Sequence, residues 1–499
     1  MSGTPGASST SQTISARPQR DLRWHLRALW LTLAALLVTA TRTDPDLWGH
    51  LRFGLDFLDT HELPAVDPYS FTQDRPWINH EWLSEVLTAI AFRGAGSSGI
   101  VLLKVALVAS AIAVLFWRLR GASAVVATIV ASAAIVSALP LTGTMRPQIW
   151  SLLGLALLMI FLDPDGEPTR LKALALSALF AVWANLHGGW ITGAAALGVY
   201  CTIRSIRNHR QTIGWILLYV VTMAATLLNP YGVALWRFLA MTVRASRPDI
   251  SEWQPFSFHE PAIMWVSVLV PVLAVGGLAW GKTKSLRAET WAVACLLILA
   301  GLRVSRVAPL VAPAVLVLLS PQIAARWGAK GRLPRVSTAA MLVFAIPVLT
   351  AVAAVRAPVA AAVRCLTIND SWAPDRQAAG YLAGAHGRLW VAFDWGEYAI
   401  WHFGPKLRVS IDGRRETVYS DDIIRWHRAF ELGDPGAQAR FSQIGPEYVW
   451  LRTDRINPRH WLEANGYRLE RFSSLSFVAV RRDLPPLKRP AAMMPACFP

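Results

Sequence analysis

Charge is scarce in this sequence. Asp, Glu, Lys and Arg make up 16% of its 499 residues against 54% hydrophobic ones, a balance outside that of ordinary soluble domains. Cysteine is scarcer still. Four residues are too few for a disulfide framework, and Cys201 and Cys295 fall within apolar runs. The other pair, Cys365 and Cys497, allows one bridge without requiring it. The sequence has no Cys/His spacing of a metal site, no glycine-rich phosphate loop and no nucleophile elbow. These gaps set aside the soluble nucleotide-driven enzymes. No metal or other cofactor is expected, a divalent ion being the one alternative.

What is plentiful is the long hydrophobic run. Runs of about the length that a spanning helix needs occur at about 26–42, 99–117, 121–140, 148–162, 171–187, 189–203, 212–228, 261–280, 288–302, 307–325 and 336–356. They predict an α-helical polytopic membrane protein of about 11 transmembrane helices. Basic clusters precede the first run (Arg17, Arg20, Arg23, Arg27) and follow others, at Arg118/Arg120, Arg170/Lys172, Arg204/Arg207/Arg210, Lys282/Lys284/Arg287 and Arg326/Lys330/Arg332/Arg335. With eleven spans all of them lie on one side, which the positive-inside rule makes cytoplasmic. The formal charge of +17 is then a topology signal, and nucleic acid is not an expected partner. Segment 81–93 is apolar but too short to span, and reads as an interfacial helix. Residues 1–22 are expected to be a disordered cytoplasmic N-terminus. A signal-peptidase site at Val38-Thr39-Ala40 is an alternative reading of the first run that leaves the outside assignments unchanged.

The same parity places outside the loop 43–98 and everything after about 357. Between Asp44 and Glu81 lie eight carboxylates and only two arginines, in an otherwise basic chain. Asp44 and Asp46 follow the first run directly, where partial desolvation raises a carboxylate pKa towards the range of a general base, and His50 lies one helical turn beyond Asp46. The bland alternative is solvated loop charge. Outer-side arginines run against the charge rule: Arg146, Arg237, Arg244 and Arg247, and Arg303 with Arg306, three apart and on one face if the helix continues. Guanidinium forks suit phosphate oxygens, and ordinary headgroup contact is the competing reading. Asn185 and His187, in NLHGGW, stand either at the mouth of a sugar site or as helix caps. Most of the 23 tryptophans suit an interfacial belt, with Trp48, Trp77, Trp82 and Trp253 placed to stack on a sugar.

From 357 to 485 the composition changes. Short β-rich runs at 388–395, 407–412, 448–453 and 476–482, with helical stretches at 418–433 and 435–445, predict a small C-terminal external α/β domain. A Pro-rich tail, 486–499, follows the domain, and 23–356 forms the transmembrane part.

Asp44-Pro-Asp46-Leu-Trp48-Gly-His50, then Glu62-Leu-Pro64, then Arg75-Pro-Trp77-Ile-Asn79-His80-Glu81-Trp82 together resemble the GT-C superfamily of polytopic glycosyltransferases, specifically its protein mannosyltransferase and aminoarabinose transferase members. Those carry an Asp-Glu pair in the first position and a Lys/His-Pro-Pro-Leu motif in the second, where this chain has Asp-Pro-Asp and Asn-His-Glu-Trp. The run 393–419 resembles the external domain of bacterial members. The resemblance implies inverting transfer of a sugar from a polyprenyl-phosphate donor to a glycan, lipid or protein acceptor at the outer face of the cytoplasmic membrane. A first-loop acid, Asp44 or Asp46, deprotonates the acceptor. His50, Asn79, His80, Glu81, Asn185 and His187 contact substrate, while Arg146, Arg247, Arg303 and Arg306 hold the lipid phosphate. A flippase for lipid-linked saccharides, or a non-catalytic envelope assembly protein, is the alternative.

Overall fold

The long apolar runs between residues 99 and 325 become helices. The computed structural model describes residues 38–499 except 164, 245–246, 248–249, 281–286, 328–364, 369–371 and 491–492. The N-terminal segment, most of the first expected span and the span at 336–356 lie outside the described residues.

The helices are α1 (Leu47–Thr60), α2 (Trp82–Arg118), α3 (Ala124–Thr142), α4 (Gln148–Phe161), α5 (Arg170–Leu186), α6 (Trp190–Arg207), α7 (Thr212–Ala225), α8 (Val233–Arg244), α9 (Ala262–Ala279), α10 (Ala288–Arg303) and α11 (Ala308–Arg326). Each span expected between residues 99 and 325 falls on one of them. Among the described residues, Trp82–Arg118, Val125–Thr142, Ala262–Ala279 and Ser305–Arg326 are long and apolar enough to cross a membrane. Helix starts carry their signals: Ser123 and Thr169 accept from the backbone N–H groups of Val126 and Lys172. α2 is two helices in one, because Ala95 leaves helical geometry and Gly96 takes φ +59°, a left-handed conformation open to glycine. The piece 82–94 is thus set off from 97–118, in keeping with a separate short helix before the span. α11 is buried along almost its whole length and packs against α3, α4, α9 and α10. The expected loop 229–260 instead contains α8, which buries Leu235, Phe238 and Leu239 and exposes Val233, Trp236, Met241 and Val243.

The C-terminal domain carries a five-stranded sheet in the order β3-β2-β4-β6-β5, formed by β2 (Gly387–Val391), β3 (Leu407–Val409), β4 (Tyr448–Arg452), β5 (Tyr467–Phe472) and β6 (Ser476–Arg481). β2 pairs in parallel with β3 and β4, and β6 runs antiparallel to β4 and β5. Helix α13 (Gly396–Phe403) crosses from β2 to β3, and α14 (Asp421–Glu431) with α15 (Pro435–Ile444) from β3 to β4. The fully buried Trp390 organises one face, with His427 stacked 4.6 Å away and Trp426, Phe430 and Phe441 around it. The sequence reading missed β5 and α13. β5 is a polar edge strand, whereas α13 is buried almost all round and shows no amphipathic period. Short helices at Arg376–Tyr381 and Ile456–Ala464 were missed as well.

The tail is pinned rather than trailing. Cys365 and Cys497 form a disulfide, β1 (Leu366–Thr367) pairs with β7 (Cys497–Phe498), and Phe498 packs on Trp48 at 5.1 Å. The loop after α1 meanwhile lies along β3: Val409 donates to the Tyr69 carbonyl and Phe71 to that of Val409. Arg414 seals this seam. It is ion-paired to Asp67 at 2.7 Å and to Asp412 at 2.7 Å, and lies over the rings of Phe53, Tyr69 and Trp77. The helical part and the C-terminal domain therefore meet along the acidic loop.

Candidate active site

A turn begins the site. The Asp44 side chain accepts the backbone N–H of Asp46 at 2.9 Å and starts α1 three residues later. That leaves Asp44 3% exposed with its second oxygen 3.1 Å from Arg146 Nε. Asp46, more open, lies 3.8 Å from the same guanidinium, and Glu252 contacts it at 3.1 Å. Arg146 thus serves three carboxylates. Burial pushes the Asp46 carboxyl above the usual range, against the pull of Arg146 and with help from the neighbouring Asp44 charge.

The first turn of α1 and the start of α2 build the adjoining wall. His50 Nδ1 meets Glu85 at 3.0 Å. Burial disfavours the imidazolium, but that hydrogen bond, with the charges of Glu85, Glu81 and Asp46, prevails and raises the pKa to about 9. His50 is a cation at neutral pH. Asn79 holds Glu85 from the other side, Nδ2 to Oε2 at 2.5 Å, and donates its backbone N–H to the Tyr231 hydroxyl. Glu81 stands 3.6 Å from His80 and 3.7 Å from His187. Burial opposes its charge, yet His80, His187, His50 and Arg306 together hold its pKa below the usual carboxylate value. His187 Nδ1 accepts from the Gly189 N–H at 3.0 Å and lies 2.7 Å from Ser151 Oγ, so its Nε2 faces Glu81. It both ends α5 as its C-cap residue and lines the site.

Arg306 reaches the same carboxylate as Arg146, contacting Glu252 at 2.5 Å, and lies over the Trp253 ring. Arg303 does not accompany it. α10 ends at Arg303, Val304 is extended (φ −138°, ψ 108°), and a 3₁₀ turn, Ser305–Val307, carries Arg306 inward while Arg303 stays exposed. The expected one-faced pair is corrected by that break. Arg247 is buried against Trp253 at 4.0 Å and ion-paired to Glu416 of the C-terminal domain, a brace beside the site. Asn185 is a tie: its oxygen accepts from Trp82 and its nitrogen donates to the Ala181 and Leu228 carbonyls. Trp48 is fully buried in the seam and does not offer a stacking face.

Sequence reasoning missed Glu397. This first-turn residue of α13 is 3% exposed and accepts the Gly49 N–H of α1 at 3.1 Å. The signal was an acid in an apolar run, FDWGEYAIWHF, set far along the chain from the acids it joins. Among the described residues no three His, Cys, Asp or Glu side chains converge as a metal site.

No family model matches the sequence, and no curated protein matches it. Solved structures do. The chain is similar to the mycobacterial arabinofuranosyltransferase AftD in two structures, at 16% and 15% identity and TM-scores of 0.53 and 0.52 over 92% of this chain. It spans about two fifths of AftD, 41% and 40%. It is also similar to ArnT from Cupriavidus metallidurans bound to undecaprenyl phosphate, at 11% identity and a TM-score of 0.51, over 93% of this chain and 98% of ArnT. The chain shares the fold of these AftD and ArnT structures.

Proposed function

We propose that this protein transfers a sugar from a polyprenyl-phosphate donor to an acceptor at the outer face of the cytoplasmic membrane, with inversion and with Asp46 as general base. The observation that carries this reading is Asp46 itself, a part-open carboxylate beside Arg146, within one helical turn of a cationic His50 and across from Arg306. Asp44 is the positioning acid, since one oxygen orients the turn and the other is paired with Arg146. In the reaction Asp46 takes the acceptor hydroxyl proton while the acceptor oxygen bonds to the anomeric carbon. The bond from that carbon to the phosphate oxygen breaks, and polyprenyl phosphate departs with its electron pair. Arg306 and His50 supply positive charge for it. The phosphate exchanges with the Glu252 carboxylate, 38% exposed, on Arg306 and Arg146. ArnT, of like fold and nearly the same length, was solved with undecaprenyl phosphate, which supports the class of donor. The basic clusters after residues 118, 170, 204, 282 and 326 support an outward-facing site by the positive-inside rule.

The test is the Asp46→Asn variant assayed for transfer from a polyprenyl-phosphate sugar, beside Asp44→Asn. Turnover is expected to fall by about 10²-fold or more in D46N, with expression intact. Near-normal transfer by both variants removes this loop from the chemistry.

A further inference from the structure

The C-terminal domain places its own carboxyl group in the site. Glu397, in the first turn of α13, and Gly413 lie in the connections that follow the neighbouring parallel strands β2 and β3. Here that crevice is filled by the start of α1. Gly413 has no room for a side chain: a Cβ there would collide with Asp46 Oδ1 and stand 2.9 Å from Glu397 Oε1. The two carboxyl oxygens, from two parts of the chain, therefore both border the space that a Gly413 side chain would take. The second Glu397 oxygen is occupied by the Gly49 N–H at 3.1 Å, which assigns the carbonyl role to Oε2 and leaves Oε1 for a proton.

We infer that Glu397 is a protonated positioning residue that shares its proton with Asp46 across Gly413, so that the C-terminal domain completes the catalytic acid–base pair. This rests on the reading of Asp46 as the base. The surrounding charges fit. Asp46 has Arg146, Arg306 and His50 to favour its ionised form, with Asp44 alongside. Glu397 faces Asp46 and Asp412, and the nearest cation, Arg414, is engaged by Asp412 and Asp67. Burial, then the Asp46 and Asp412 charges, hold the Glu397 carboxyl well above the usual value. Two carboxyls this close do not both ionise at neutral pH, and the one with fewer cations keeps the proton. A carboxylic acid donating to Asp46 keeps the base fixed in place while leaving it ionised.

The experiment is infrared spectroscopy of the full-length protein in lipid nanodiscs, titrated with pH and needing no substrate. A protonated-carboxyl C=O band is expected near neutral pH, absent from Glu397→Gln. In Asp46→Asn the neighbouring charge is gone, so the band should vanish at a pH lower by about one unit or more. Gly413→Ala, which forces the pair apart, should move it the same way. A parent protein without the band, a band that survives in E397Q, or a band whose titration ignores both D46N and G413A overturns the inference. If D46N moves the band yet transfers sugar normally, the pair stands and the general-base reading falls.

Discussion

Two arginine–carboxylate clusters lie at opposite ends of the helical bundle, and they are built differently. In one, Glu289 at the start of α10 is fully buried and held by Arg204 at 3.4 Å and Arg207 at 2.6 Å from the last turn of α6. Arg204 also donates to the Gly166 carbonyl at 2.7 Å and lies over Trp215. Two cations meet one anion, at a helix C-terminus that favours positive charge. In the other, Arg146 meets Asp44, Asp46 and Glu252, and Arg306 shares Glu252 with it. The first arrangement is closed and charge-saturated, as a structural tie should be. The second sets three carboxylates against two arginines and leaves two of them, Asp46 and Glu252, part-open, an arrangement that costs stability and suits the substrate site proposed above.

The sharpest way to break that comparison is to neutralise one acid at each end. Asp46→Asn should lower transfer by about 10²-fold or more with little change in the thermal transition. Glu289→Gln should leave transfer unchanged and destabilise the protein by about 1–3 kcal/mol, the cost of leaving a buried partner unmatched, at the low end because Arg207 is 43% exposed. Reversed outcomes, with stability lost at Asp46 and transfer lost at Glu289, would assign the functions of the two ends the other way round.

The pH profile sharpens the same point. As the proposed base Asp46 must be ionised, and its pKa in the folded protein is raised. Transfer should therefore fall as pH drops through that raised value, with the acid limb of kcat/KM above the ordinary Asp value of about 3.9. An acid limb at the ordinary value is the result against it.

How much of this was legible beforehand follows from what each residue depends on. Helices between 99 and 325 could be read because a long apolar run announces itself by composition, and among the described residues three whole helices there, with most of a fourth, are long and apolar enough to cross a membrane. Asp44, Asp46, Arg146, Glu81 and His187 could be assigned to one side because each lies beside an apolar run, and His50 joins them by its spacing of four from Asp46. Glu397 could not. Its part in the site depends on the β2–β3 crossover and on the missing side chain of Gly413, neither of which leaves a local pattern. Asn185 was legible as a polar residue at a helix end, but its hydrogen bonds to Trp82 and to the Leu228 carbonyl depend on how α2, α5 and α7 pack.

The smallest effects come from the arginines at 303 and 306, which adjacency in sequence makes equal and the structure makes unequal. Arg306 contacts Glu252 at the site and rests on Trp253. Lysine there keeps the charge but loses the fork and most of the ring contact, so affinity for the proposed polyprenyl-phosphate donor, measured by titration in nanodiscs, should fall by about 1–3 kcal/mol. Arg303 ends α10 and is exposed, turned away by the extended Val304. Arg303→Lys should shift that affinity by less than about 0.5 kcal/mol, as for a surface substitution. Equal losses at both positions would mean that α10 continues into the 3₁₀ turn when the donor binds, restoring the single face that the spacing alone predicts.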